Sequence, residues 1–176
     1  MQAWVALLRG VNVGGAAKLP MAELRAVASD IGWQNPQTYI ASGNLVFQAE
    51  AGDHATLLRD GLLSRLGLDV PVLVLPHSAY RACLATCPFR PEQGSHLHGF
   101  LTFSPPRLDM AVFDALRTTE EIAAADGVVW LHAPDGIGRS KVAEKMHKII
   151  CGAQTTARNL NTLRHLLQML DDSAAG

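Results

Sequence analysis

The chain has 176 residues, 48% hydrophobic and 18% charged, with a formal net charge of −1 and a pI near 6.6. That composition excludes a disordered chain, which combines low hydrophobicity with high net charge, and the near-neutral total speaks against a uniformly basic nucleic-acid binder. At this length most of the surface is buried on folding, in one domain or in two small subdomains sharing a core.

Residues 1–9 carry no cationic leader, and their apolar run is too short for a signal-peptide core or a membrane span. A cytoplasmic location without membrane association is therefore expected. Residues 3–8 are continuously apolar and stop at Arg9 and a glycine-rich loop, which predicts a buried strand. After Pro20, Met21, Leu24, Ala28 and Ile31 recur at helical spacing until Gly32. Residues 38–40 and 45–47 flank Ala41-Ser-Gly-Asn44 and predict a hairpin. Asp53 is placed to cap a helix with Leu58, Leu62 and Leu66 on its apolar face and Leu57 and Leu63 alongside, ending at Gly67. Residues 70–75 predict another strand, whose Pro71 requires an edge or a strand start. The order βαββαβ over residues 1–76 is that of a ferredoxin-like α/β plait, a four-stranded antiparallel sheet with two helices on one face.

Residues 77–170 predict a second, less regular α+β subdomain. Helices are expected over 77–87, 109–116, 140–150 and 156–170, with strands over 97–103 and 128–131. Residues 171–176 read as a flexible tail, and no internal repeat stands out. The three cysteines cannot all pair with one another, so reduced thiols are expected. Cys83 and Cys87 share a helix face but lack the further ligands that zinc requires. His96 and His98 alternate on a predicted strand, again without a carboxylate or cysteine at ligand spacing, and no metal site is assigned.

Three segments set glycines or small polar residues beside a cation: Arg9-Gly-Val-Asn-Val-Gly-Gly15, Gly136-Ile-Gly-Arg-Ser-Lys141 and Thr155-Thr-Ala-Arg-Asn-Leu-Asn-Thr162. Glycines let backbone N–H groups turn towards one point, and helix starts leave donors unpaired, so each segment is a candidate anion receiver. The first contributes Arg9, Asn12, Gly14 and Gly15, with Lys18 on its far side. The second contributes Ser140 and Lys141, and the third Arg158, Asn159 and Asn161. Tyr39, Ser42 and Asn44 of the hairpin turn are added as pocket residues. Arg158 is expected in the first turn of a helix, where a cation opposes the macrodipole, a local conflict of the kind that marks function. Lys141, Lys145 and Lys148 are expected to share one helix face. Residues 136–170 carry six Lys or Arg and one acid, a basic patch within a near-neutral chain. The first loop matches neither a dinucleotide fingerprint nor a P-loop. No hydrolase triad or acid–base pair can be assembled, and no motif names a reaction or a cofactor.

Leu7-Leu-Arg-Gly-Val-Asn-Val-Gly-Gly15, Thr38-Tyr-Ile-Ala-Ser-Gly-Asn44 and Thr156-Ala-Arg-Asn-Leu-Asn-Thr162, in this order, resemble the signature of a bacterial family catalogued as domain of unknown function sixteen ninety-seven. The resemblance runs from about Trp4 to Leu170, with Met21 and Ser140-Lys141 also fitting. Leu160 stands where that family usually has an aromatic. The resemblance implies a two-part α/β plait and brings no activity, substrate or catalytic residue.

The favoured expectation is a small phosphate- or carboxylate-bearing ligand held in a cleft between the two subdomains, with Arg9, Asn12, Arg158 and Asn159 close together. One alternative is a nucleic acid or other polyanion on a basic face of Arg139, Lys141, Lys145, Lys148 and Arg158. Against it stands the absence of the aromatic-rich strand on which plait-type RNA binders stack bases. The other alternative is an interaction or structural protein whose polar motifs only join its parts.

Overall fold

The apolar run after Gln2 forms β1 (Gln2–Leu8), and every residue in it from Ala3 onward is buried, with hydrogen-bonded strands on both edges. These coordinates are a computed structural model, which describes residues 1–15 and 17–176. α1 (Met21–Ile31) begins directly after Pro20 and ends at Gly32, whose φ of 94° closes the last turn in the left-handed region. β2 (Gln34–Thr38) and β3 (Asn44–Ala49) form the hairpin. Asp53 caps α2 (His54–Leu66) by accepting the Thr56 N–H at 3.1 Å, and β4 (Val72–Pro76) completes the sheet. The strand order is β2-β3-β1-β4, which places β4, with Pro71 just ahead of it, at an edge. α1 packs on α2, and Leu24, Leu58 and Leu62 meet Trp4, Leu8 and Phe47 of the sheet in one core. This is the ferredoxin-like plait.

Two local features differ from expectation. The first hairpin strand lies at Gln34–Thr38, and residues 39–43 are the connecting turn. Asn35 has φ 50° and precedes Pro36, and the ladder shifts register between Gln34 and Gln37, an irregularity that only an edge strand tolerates. Leu57 and Leu63 are 46% and 49% exposed, because the buried stripe of α2 is the narrower one of His54, Leu58 and Leu62.

α3 (His77–Ala85) carries the chain from a first unit, Met1–Arg81 with His165–Gly176, into a second, Ala82–Arg164. The second unit runs through β5 (Leu97–Thr102), β6 (Arg107–Leu108), α4 (Met110–Leu116), β7 (Glu121–Ala125) and β8 (Val128–His132). It continues through α5 (Lys141–Glu144), α6 (Met146–Ile149), β9 (Ile150–Cys151) and β10 (Thr155–Asn159), after which α7 (Leu160–Ala175) starts. Its main sheet has the order β10-β5-β8-β7, and β6 pairs with β9 in a separate short ladder. Counted within each unit, both main sheets have the order 4-1-3-2. Both units are therefore α+β plaits of one topology, a repeat that the sequence does not display. Phe113, Val129, Leu131, Val142, Met146 and Ile149 form a core of the second.

The C-terminal elements correct three expectations. The helix over 140–150 is two single turns, broken at Lys145 where φ is −105° and ψ 16°. The helix expected from Thr156 begins at Leu160, because residues 155–159 pair with β5 from Thr155 opposite Thr102 to Asn159 opposite His98. α7 then continues to Ala175 through the residues expected as a tail, and the Ser173 carbonyl accepts the Gln48 amide at 2.6 Å.

Gly43 has φ 84°, and a Cβ there would lie 2.7 Å from Val11 Cγ2 and 2.8 Å from Leu8 Cβ. Gly43→Ala therefore combines backbone strain with overpacking, and a loss of about 2–4 kcal/mol is expected. The measurement is a fall in the urea midpoint with an unchanged m-value.

Candidate functional site

The residues of the 9–20 loop are arranged around the Asn12 carboxamide. Its Nδ2 donates to the Leu19 carbonyl at 2.8 Å and to the Ala41 carbonyl at 2.7 Å, while Oδ1 accepts the Leu19 N–H at 2.8 Å. The Asn12 N–H donates to the Ala17 carbonyl at 2.8 Å, so the loop is closed from within and tied to the hairpin turn. Asn12 was expected to face a ligand, but its side-chain hydrogen-bonding groups all serve the fold. Asn12, Gly14 and Gly15 have φ of 55°, 52° and 79°, in the left-handed region that glycine adopts freely and asparagine tolerates. Val13, Gly14 and Gly15 make no backbone hydrogen bond through their N–H groups among the described residues. With Lys18, Leu19, Pro20, Met21 and Ala41 they line an open concavity of about 440 Å³. Lys18 is exposed and forms no ion pair among the described residues, and α1 opens there without a side-chain cap.

Arg9 lies just outside this lining; its N–H donates to the Pro71 carbonyl at 3.0 Å and its side chain is exposed. The hairpin turn is held by the buried Asn44, whose Nδ2 donates to the Tyr39 carbonyl at 3.0 Å and to Ser42 Oγ at 2.8 Å. Tyr39 itself stacks on His165, with ring centroids 3.8 Å apart and planes 21° from parallel. Thus Asn12, Gly14, Gly15 and Lys18 come together at one loop. Tyr39, Ser42 and Asn44 build the turn that supports it. Val13, Pro20, Met21 and Ala41, which residue chemistry alone did not single out, supply the apolar lining; Met21 was marked only by the family pattern.

In the second unit, Ser140 and Lys141 line a smaller concavity of about 320 Å³ with Ile137, Gly138, Arg139, Ala143 and Glu144. Ser140 is buried and structural: its Oγ accepts the Ala143 N–H at 3.0 Å as the cap of α5 and donates to Glu120 Oε1 at 2.7 Å. Lys145 pairs with Glu144 at 2.8 Å, and the break at that residue removes the continuous lysine stripe. Arg158 is not in a helix. It lies on β10, is 8% exposed, and donates to Thr156 Oγ1 and to the Ala157 carbonyl, each at 2.8 Å. The conflict with the helix dipole therefore disappears. Asn159 caps α7 instead, accepting the Thr162 N–H at 2.9 Å, and Asn161 lies against Gly94, where any Cβ would come within 2.0 Å of its Oδ1. His96 belongs to a single 3-10 turn ahead of β5, so its alternation with His98 along a strand does not hold. No group of three or more His, Cys, Asp or Glu is placed to hold a metal among the described residues.

Glu120 is the strongest electrostatic feature of the second unit. Burial by itself would raise its pKa. Hydrogen bonds from Ser140 and from the N–H and hydroxyl of Thr118 outweigh that and hold it at about 2.

Two outcomes follow from these geometries. Asn12→Ala leaves the Leu19 and Ala41 groups without their partners, so a loss of about 1–3 kcal/mol is expected in chemical denaturation. Because Glu120 titrates lower in the folded chain than its ordinary 4.5, its contribution is complete above about pH 4.5 and is lost as pH falls towards 2. Glu120→Gln should therefore reduce stability at pH 7 and flatten its decline over that acid range, as read by urea midpoints measured across pH.

No helix of the described residues is long and apolar enough to cross a membrane. The chain is similar in fold to a solved structure, the conserved bacterial protein SP0830 from Streptococcus pneumoniae, at 22% identity and a TM-score of 0.74 over 96% of this chain and 98% of that one. No curated protein matches it. The family profile described as "Protein of unknown function (DUF1697)" matches residues 1–130, which contain the loop, the hairpin turn and the whole first sheet, and the chain belongs to that family.

Proposed function

We propose that the first unit binds a compact anion, phosphate- or carboxylate-bearing, in the concavity of the 9–20 loop. The observation that carries this reading is the concavity that Val13, Gly14 and Gly15 line with Lys18, where none of the three N–H groups has a backbone partner among the described residues. Donors of this kind are pre-aimed and cost little to reorganise when an anion arrives. Residues 9–22 contain Arg9 and Lys18 and no acid, the acid in the first turn of α1, Glu23, is paired with Arg65 at 2.9 Å, and the start of α1 adds a partial positive charge.

The polyanion reading is weaker. Of its five cations, Arg158 is buried and Lys145 is ion-paired, and Lys141, Lys145 and Lys148 no longer share a helix. Arg139, Lys141 and Lys148 remain exposed, and three cations make a small contribution to polymer binding at physiological salt.

The test is an amide-resolved NMR titration with inorganic phosphate. Shifts should concentrate on Val13, Gly14, Gly15 and Lys18, and Lys18→Ala should weaken binding about tenfold, as expected for one charge-assisted hydrogen bond. Shifts confined to residues 139–148, or none, would reject the reading. Tight, steeply salt-dependent binding of single-stranded RNA would restore the polyanion alternative.

A further inference from the structure

The geometry points to an anion carried on an apolar body, an alkyl or aryl monophosphate rather than a sugar phosphate or nucleotide; this inference rests on the anion-binding reading above. A volume of about 440 Å³ lies in the range of small-molecule sites, whereas a bare phosphate needs only the end beside the glycine amides. The remaining lining decides what fills the rest.

That lining is Val13, Leu19, Pro20, Met21 and Ala41, with Val13 56% exposed towards solvent in the unliganded protein. Among the described residues of the lining, the only polar side chains are those of Asn12 and Lys18. Both Nδ2 protons of Asn12 are engaged by the Leu19 and Ala41 carbonyls, so Asn12 has no donor left for a hydroxyl. The Leu19 N–H is engaged by Asn12 Oδ1. Once Lys18 meets the anion, a ribose entering here would set its hydroxyls against a mostly apolar lining and gain little from it. An alkyl or aryl group has no such penalty and removes the apolar lining from water, and the Met21 thioether favours contact with an aromatic ring.

The experiment is a calorimetric and NMR series on the full chain with orthophosphate, methyl phosphate, butyl phosphate, phenyl phosphate and ribose 5-phosphate, with butanol and phenol as anion-free controls. A fully buried methylene gives about fourfold in affinity. In an open concavity, butyl and phenyl phosphate should bind at least about tenfold tighter than orthophosphate, and ribose 5-phosphate within about threefold of it. Met21→Gln should reduce the butyl and phenyl preference while leaving orthophosphate affinity unchanged. A flat series, or ribose 5-phosphate equal to phenyl phosphate, with orthophosphate still shifting the loop amides, would overturn this inference and leave the anion reading standing. Absence of any phosphate-induced shift would overturn both, and butanol or phenol binding as tightly as its phosphate would remove the anion from the site.

Discussion

A single carboxamide organises the first unit's loop. Asn12 donates to the carbonyls of Leu19 and Ala41 and accepts from the Leu19 N–H, joining residues that are 7 and 29 positions away along the chain. Val13, Gly14 and Gly15 line the concavity with the start of α1 beside them, and their N–H groups have no backbone partner among the described residues. The apolar side chains of Val11 and Leu19, each 1% exposed, anchor the loop to the core of the plait on either side of its polar tip. Without that carboxamide, Leu19 would keep its buried side chain but lose both backbone partners, and the concavity would lose its shape before the sheet lost its order.

The second unit shows what the same topology does without such a residue. Its equivalent link, from β5 to α4, has its backbone engaged: the Phe103 N–H donates to the Gln154 carbonyl at 2.9 Å and the Asp109 N–H to the Ile149 carbonyl at 2.8 Å. The short strand β6 in the same link pairs with β9. Asp109 then caps α4 by accepting the Val112 N–H at 3.2 Å. Here the cap position of the helix holds a carboxylate, whereas α1 has Pro20 at its cap, which offers no side-chain acceptor, and the Glu23 of its first turn pairs with Arg65 at 2.9 Å. One plait thus caps its first helix with a side chain, and the other does not.

Much of the first unit was legible in the sequence because each local signal agreed with the next. The apolar run of β1, the Pro20 and Gly32 limits of α1, and the Asp53 cap and Gly67 stop of α2 all appear where the patterns placed them. The glycine loop was also visible, but the role of Asn12 was not. In sequence it is a polar residue among glycines, and its partners are fixed by a hairpin that folds back from elsewhere. In the second sheet β5 and β8 lie where strands were expected, and β7 and β10 were hidden. Glu121-Ile-Ala-Ala-Ala125 has helix-favouring composition and becomes a strand only because β8 pairs with it from Glu121 opposite His132 to Ala125 opposite Val128. At β10, Thr155 and Thr156 favour a strand and Asn159 favours a cap, so the signals were present; the leucine stripe that follows them carried the helix reading four residues too far.

Backbone strain is distributed in a way that bears on the concavity. Among the described residues, three without a glycine's freedom have positive φ: Asn12 at 55°, Asn35 at 50° and Ile40 at 49°. Asn35 sits at the irregular part of an edge strand, and asparagine tolerates this region. Ile40 is β-branched and 52% exposed, so no burial offsets a cost of roughly 1–2 kcal/mol. What holds it there is the turn closed on either side of it, by Asn44 bonded to the Tyr39 carbonyl and to Ser42, and by the Tyr39 N–H bonded to the Asn44 carbonyl. That turn presents the Ala41 carbonyl to Asn12. The strain at Ile40 and the shape of the glycine loop are therefore two ends of one hydrogen-bonded chain, and the ordering cost is met when the protein folds. The anion site proposed above rests on this arrangement, since donors ordered on folding cost little to reorganise on binding.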